Sequence, residues 1–192
     1  MTTTMAIKIY IDQGHNPVNP NAGAEGNGYR EQDIVYRIGI ALSNLLLSNG
    51  NFETRLSRPN EKTQLGTSNA SSLRIRVDDA NSWGANYFIS LHTNASSLPS
   101  ANGCEGYAYS RSSQGFILGE YILINMSRVT GLRNRGMMVR PSLYVLRETT
   151  MPAILIELGF ITNPYEASLM ANDPYIFAKG IYDGMIEYFG LS

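Results

Sequence analysis

Apolar and polar positions alternate along the chain in two distinct patterns. Short apolar runs rich in β-branched and aromatic residues predict buried strands at 6–12, 52–56, 86–92, 107–110, 143–146 and 153–158. Apolar residues at helical spacing predict helices from 34 to the C-cap glycine Gly50, and at 73–83, 115–129, 164–170 and 174–189. Strands that alternate with helices indicate an α/β fold with a mostly parallel sheet.

The segments between these elements have the composition of loops. Residues 13–29 are dense in Asn, Gly and Pro, and the stretches 67–72 and 94–102 are rich in Ser and Asn. No internal repeat, low-complexity tract or domain boundary interrupts the pattern. The sequence therefore predicts a single domain over 1–192, a length that suits one hydrophobic core.

Composition narrows the classes of partner. Hydrophobic residues make up 43% of the chain and charged residues 16%, which is typical of a packed core and not of disorder. A net charge of −1 argues against nucleic acid and against electrostatic adhesion to membranes. No apolar run is long enough to cross a bilayer. The start of the chain, 1–5, lacks the pattern of a secretory signal, so we expect a mature form, an excerpted domain or a protein released by lysis.

The chain has one cysteine, Cys104, so no intrachain disulfide can form. It lies in a Gly-Cys-Glu-Gly segment just before the strand predicted at 107–110. A single cysteine could act as a nucleophile. We favour a small structural residue, because the two histidines that could activate it have a better use.

Four polar residues stand where α/β folds place their active sites, at the carboxyl ends of strands and the loops that follow. His15 follows the first strand, His92 closes the third, and Glu157 lies near the end of the strand at 153–158. Glu31 opens the first long helix. Two imidazoles and a carboxylate are a common ligand set for catalytic zinc, with water in the fourth position. A second carboxylate can then move the proton of that water.

Each of these residues also has a structural interpretation. A histidine at a strand end is often only hydrogen-bonded, and Glu31 is explained by the helix dipole alone. Burying Glu157 between Ile156 and Leu158 is costly without a partner, which could be an arginine. The pattern leaves three other acidic residues open as the third ligand: Asp12, Glu25 and Glu105.

The ordered motifs of the chain resemble the type-3 family of zinc N-acetylmuramoyl-L-alanine amidases, found in bacterial cell-wall hydrolases and phage endolysins. The matching segments are Asp-Gln-Gly-His at 12–15, Gly-Tyr-Arg-Glu at 28–31, an Arg to Ala-Asn stretch at 76–81, Ser-Leu-His-Thr-Asn at 90–94 and Pro-Ala to Asn at 152–163. The resemblance covers nearly the whole chain, in the expected order. One departure is Asn16-Pro17, where the family often has two glycines.

The resemblance implies a single α/β domain with a central, mostly parallel sheet of about six strands flanked by helices. It implies zinc held by His15, Glu31 and His92, with Glu157 as catalytic base and acid. The substrate would be peptidoglycan at the bacterial cell wall, cut between N-acetylmuramic acid and L-alanine. Arg147 and Asn94 are weaker candidates for holding the substrate.

Two other functions remain open at this point. A zinc carboxypeptidase-like peptidase acting on stem peptides would use the same ligands, but it would need a cation for a free C-terminal carboxylate. The segment 152–163 favours the amidase. An inactive wall-binding or scaffold protein would be expected to lack a ligand or the base, and all four residues are present.

Overall fold

The computed structural model describes residues 6–192, so the first five residues, in which the sequence shows no signal pattern, lie outside the described part. The strands are β1 (Ile7–Gln13), β2 (Glu25–Gly26), β3 (Tyr29–Arg30), β4 (Phe52–Leu56), β5 (Tyr87–Asn94), β6 (Cys104–Ala108), β7 (Asn134–Val139) and β8 (Ala153–Phe160). The helices are α1 (Glu31–Asn49), α2 (Asn69–Trp83), α3 (Gln114–Thr130), α4 (Tyr144–Arg147), α5 (Pro164–Asn172) and α6 (Pro174–Phe189).

Six of the strands form one sheet in the order β4-β1-β5-β8-β6-β7. Strands β4, β1, β5 and β8 are parallel to one another, whereas β6 is antiparallel to β8 and parallel to β7. The carboxyl ends of β1, β5 and β8 therefore meet at the same edge as the amino ends of β6 and β7. This architecture confirms the predicted single α/β domain with a mostly parallel sheet of about six strands.

The two faces of the sheet carry separate apolar cores. Alternate residues of β1 divide between them, because successive side chains of a strand point to opposite faces. Ile9 and Ile11 pack with α1, α3 and α6 in the larger core. Tyr10 packs with Val77 of α2 and Val145 of α4 in the smaller core. The face with the smaller core carries the candidate site described below.

The prediction of a strand at 143–146 is wrong. Residues Tyr144–Arg147 form the one-turn helix α4, and the edge strand is β7, which the pattern did not indicate. A four-residue apolar run cannot by its periodicity be told from a buried helical turn. The side chains of β7 are half-buried or exposed, and Gly136 lies at φ 88°, so its hydrophobic alternation is weak.

Cys104 is fully buried in β6, and burial raises the pKa of its thiol to about 12. A thiol that stays protonated is a poor nucleophile, which agrees with the structural interpretation. Among the helices of residues 6–192, none has the combined length and hydropathy needed to cross a membrane.

Candidate metal centre

Three of the predicted site residues come together at the carboxyl edge of the sheet. Glu31 lies between the two imidazoles, with its Oε1 at 3.2 Å from Nε2 of His15 and 3.1 Å from Nδ1 of His92. One ligand atom from each residue falls within 4.8 Å of the others. The sequence separates these residues by up to 77 positions, and the parallel arrangement of β1 and β5 brings them to one point.

His15 is held in an unusual backbone conformation. Its φ of 65° lies in the left-handed region, which is uncommon for a residue other than glycine. Arg76 of α2, almost fully buried, donates to the carbonyl oxygens of His15 at 2.6 Å and Gln13 at 2.7 Å. Its guanidinium also binds Oδ1 of Asp12 at 2.6 Å, and Asp12 accepts from Ser90 at 2.7 Å. The turn that presents His15 is thus fixed by a buried ion pair.

Glu31 is fixed by groups outside its own helix. Its Oε1 accepts from the backbone N–H of Thr93 and its Oε2 from that of Ala24, both at 2.9 Å. Burial alone would raise the pKa of Glu31, but the hydrogen bonds and charges of His15 and His92 hold that pKa well below its usual range. Burial alone would lower the pKa of His92, and Glu31 outweighs that effect, so the pKa is raised. The helix dipole therefore does not by itself account for the position of Glu31.

Two glycines allow the ligands to approach one another. A Cβ at Gly14 would come within 2.5 Å of the ring of His92, and a Cβ at Gly23 would lie 2.9 Å from both His15 and Glu31. Such contacts are too close for real side chains. The Gly-His motif and the Gly-rich loop are therefore required by the packing of the ligands.

Glu157 stands beside this cluster. In the strand register it is opposite His92 on β5 and Glu105 on β6, on the same face of the sheet. Its Oε2 is buried without a hydrogen-bond partner, and no arginine in the described part of the chain forms an ion pair with it. Burial raises the pKa of Glu157 to about 7, with Glu31 and Glu105 acting in the same direction and His92 against it. Within the described residues, the salt bridge to an arginine that the sequence left open is thus not formed.

The three alternative ligands lie outside the donor cluster. Asp12 is occupied by Arg76 and Ser90. Glu25 is exposed and lies 3.7 Å from Arg30. Glu105 accepts hydrogen bonds from three side chains: Asn94 at 2.9 Å, Tyr107 at 2.6 Å and Arg135 at 2.5 Å.

The two residues suggested for holding the substrate are both bound to other residues of the protein. Arg147 forms an ion pair with Glu148 at 2.7 Å, and the side-chain amide of Asn94 binds Glu105. A different arginine, Arg140, stands 4.5 Å over the ring of Tyr107, and its charge acts on Glu157. The sequence analysis missed Arg140 because it follows β7, the strand that the pattern did not predict.

The donor set fits a catalytic zinc ion. Two imidazole nitrogens and one carboxylate oxygen are typical zinc ligands that leave a position open. Nδ1 of His15 and Oε2 of Glu157 are buried and lack hydrogen-bond partners within residues 6–192. Buried polar atoms that a folded chain leaves unsatisfied require an explanation, such as an ion or a water.

Comparison with known proteins decides the family. A sequence profile described as N-acetylmuramoyl-L-alanine amidase matches residues 9–187. The chain belongs to this family. It is 36% identical to the amidase CwlM of Bacillus licheniformis over 194 residues, covering 97% of this chain and 70% of that protein. It is also 30% identical to the endolysin of Bacillus phage SPP1, covering 97% and 68%.

Other relatives differ in length. LytC, an amidase of Bacillus subtilis strain 168, is 32% identical over 94% of this chain, which spans only 35% of LytC. Among solved structures, the amidase from Clostridium difficile 630 aligns with a TM-score of 0.86 at 28% identity, covering 97% of this chain and 98% of that one. The catalytic domain of CwlV from Bacillus (Paenibacillus) polymyxa aligns with a TM-score of 0.83 at 29% identity, covering 97% and 99%.

The chain is thus an enzyme of the N-acetylmuramoyl-L-alanine amidase class. The family and the named relatives support amidase activity on peptidoglycan over the carboxypeptidase and scaffold interpretations. The resemblance stated from the sequence motifs is confirmed.

Proposed function

We propose that this amidase depends on zinc and cuts the bond between N-acetylmuramic acid and the L-alanine of the stem peptide. His15, Glu31 and His92 hold the zinc, Glu157 is the catalytic base and acid, and 1–192 is one catalytic domain. One observation carries the proposal. Three donor atoms converge within 4.8 Å beside a carboxylate that has no ion-pair partner of its own in the described chain.

Zinc, when bound, supplies a Lewis acid for the scissile carbonyl and lowers the pKa of water. The side chains of this protein supply the rest. Glu157 accepts a proton from the attacking water and gives it to the L-alanine nitrogen as the C–N bond breaks and a C–O bond forms. Because no arginine in the described residues forms an ion pair with Glu157, its carboxylate is available for both transfers.

The remaining groups of the site hold the ligands in place. The N–H groups of Ala24 and Thr93 keep Glu31 charged and oriented, as a ligand carboxylate requires. Arg76 fixes the turn of His15 through the backbone, so that Nε2 faces Glu31. This support keeps the three donors together before a metal binds, which reduces the ordering that binding would otherwise require.

The test is digestion of purified peptidoglycan, with analysis of the products. We expect new L-alanine amino termini, intact glycan strands and no new reducing ends. Reducing ends without free alanine would indicate glycan cleavage, and release of single C-terminal residues would indicate a carboxypeptidase. Either outcome would overturn the proposed reaction.

Elemental analysis of the same preparation tests the metal. We expect about one zinc per chain and loss of activity on treatment with a strong chelator, restored by added zinc. A protein without any transition metal whose activity is unaffected by the chelator would contradict zinc dependence. It would leave the identity of the cleaved bond unchanged.

A further inference from the structure

The sheet surface beyond Glu157 is formed by β6 and β7. Glu105 lies opposite Glu157 in the register, and Tyr107, two residues further along β6, shares its face. Tyr107 is in turn paired with Met138 of β7, which is 37% exposed. The same face of the sheet therefore continues from Glu157 across β6 to the edge strand β7.

Tyr107 is a fixed platform on this face of the sheet. Its residue is 6% exposed, and its hydroxyl donates to Oε1 of Glu105 at 2.6 Å. Arg135 and Asn94 bind the same carboxylate, so Glu105 is itself held by three donors. The ring consequently has little freedom to move away from Glu157.

Arg140 places a positive charge over this platform. Its guanidinium lies 4.5 Å from the ring centroid of Tyr107, a distance at which the ring attracts a cation. Arg140 is exposed, and in the described part of the chain it has neither an ion pair nor a side-chain hydrogen bond. Arg135 and Arg147, by contrast, are each bound to a carboxylate.

The electrostatics agree with this placement. Burial raises the pKa of Glu157, and the charge of Arg140 acts in the opposite direction. The charge of Arg140 likewise opposes the rise that burial causes in the pKa of Tyr107. The geometry points the same way, because Arg140 lies over Tyr107, whose hydroxyl binds Glu105, the register partner of Glu157.

A guanidinium is a rigid, planar fork of N–H groups that suits a planar, two-oxygen acceptor, and that of Arg140 lies over the ring of Tyr107. In the substrate, the carboxyl group of the muramic acid is part of the scissile amide, so free carboxylates belong to the stem peptide. A carboxylate on Arg140 would therefore fix the direction of the substrate. The peptide would lie over β6 and β7, and the glycan on the side of β1.

Resting on the function proposed above, we infer that Arg140 is a specificity-determining residue that binds a carboxylate of the stem peptide through its guanidinium on Tyr107.

The test compares two soluble muramoyl peptides that differ only in having free or amidated carboxyl groups. With Arg140→Gln we expect KM for the free-carboxylate compound to rise about 10- to 100-fold, the range for losing a hydrogen bond to a charged group. The value of kcat should change little, and the amidated compound should be cleaved as by the parent. For Arg140→Lys we expect a KM for the free-carboxylate compound between those of the parent and of Arg140→Gln, because lysine keeps the charge but loses the bidentate geometry.

Arg111 supplies a matched control. It is an exposed arginine 5.6 Å over the ring of Phe116, in the turn between β6 and α3, at the opposite end of β6 from Glu105 and Glu157. Arg111→Gln removes the same kind of contact and should leave both substrates unaffected. Thermal unfolding of all variants checks that each is folded.

Direct binding separates this inference from the proposed reaction. The affinity of both compounds is measured for the parent and for Arg140→Gln, by calorimetry. If the parent cleaves neither compound but binds the free carboxylate through Arg140, the reaction fails and the inference stands. Equal affinity for the two compounds, or an equal loss on both with Arg140→Gln, overturns the inference.

Discussion

The two sides of Glu157 are built differently. Toward β1 and β5, the groups that support the ligands are buried and paired within the protein, as in the contacts of Arg76 with Asp12 and with the carbonyl of His15. Toward β6 and β7, Arg140 is exposed and lacks an ionic partner in residues 6–192. Glu157 itself lies at the boundary between the two regions.

This difference distinguishes polar residues that hold the ligands in place from those that can bind the substrate. A closed network of buried contacts fixes geometry, because each group has its partner within the protein. An exposed cation that has no ionic partner in the described chain can gain one only from a bound molecule. Substitutions on the β1 side should therefore change metal affinity, and those on the β6 side should change substrate affinity.

The largest effect is expected at the ligands. His15→Ala and His92→Ala should lose zinc and activity together, because a site with three protein ligands tolerates the loss of one poorly. Zinc content and rate are measured on the same samples. A His15→Ala protein that keeps a full complement of zinc would remove that residue from the ligand set.

Glu157 should separate catalysis from metal binding. Glu157→Ala should lower the rate about 100- to 10,000-fold, the usual range for a general acid or base, while zinc stays bound. Glu157→Gln should unfold at the same temperature as the parent or higher, since it removes a half-buried carboxylate for which residues 6–192 provide no ion-pair partner. Full activity of Glu157→Ala, or zinc loss as complete as in the histidine variants, would contradict this role.

Substitution of Arg76 tests the buried network on the side of β1 and β5. Arg76→Lys keeps a positive charge near Asp12 but cannot reach all of the carbonyl oxygens that the guanidinium binds. We expect zinc affinity to fall about 10- to 100-fold, as for other groups that orient metal ligands. A competing chelator measures the affinity, and thermal unfolding of the metal-free protein measures stability.

The control for Arg76→Lys is a substitution that lowers stability in another part of the protein. Ile181→Ala shortens a fully buried side chain in α6, in the core of the opposite face, and should cost about 2–5 kcal/mol. Its zinc affinity should be unchanged. If Ile181→Ala and Arg76→Lys weaken zinc binding to the same extent, Arg76 acts through general stability and not through the turn of His15.

The same comparison shows what the sequence could reveal. His15 and His92 stand next to strongly apolar strands, so the pattern located both of them at one edge of a parallel sheet. Glu157 was found in the same way, within the apolar run 153–158. For Glu31 the helix start gave only a weak signal, and the motif resemblance indicated its position.

The same reasoning could not predict the side of the site formed by β6 and β7. The strand β7 is short, half-exposed and interrupted by Gly136, so its pattern is weak, and the apolar turn α4 was mistaken for it. Without β7, nothing in the sequence brings Arg140 to Tyr107, which is 33 positions away. The contacts of Arg76 were hidden for a related reason, since a side chain's partners 60 or more positions distant follow from the fold alone.

The smallest effect is expected at Tyr107, where two substitutions divide the platform into its parts. Tyr107→Phe removes the hydroxyl bond to Glu105 but keeps the ring under Arg140, so KM for a free-carboxylate substrate should stay close to that of the parent. Tyr107→Leu removes the ring, and losing a cation–π contact of about 0.5–1 kcal/mol should raise that KM roughly two- to fivefold. The amidated substrate should not distinguish the two variants. Equal values of KM for Tyr107→Phe and Tyr107→Leu would mean that the ring does not orient Arg140, and the specificity would then depend on charge alone.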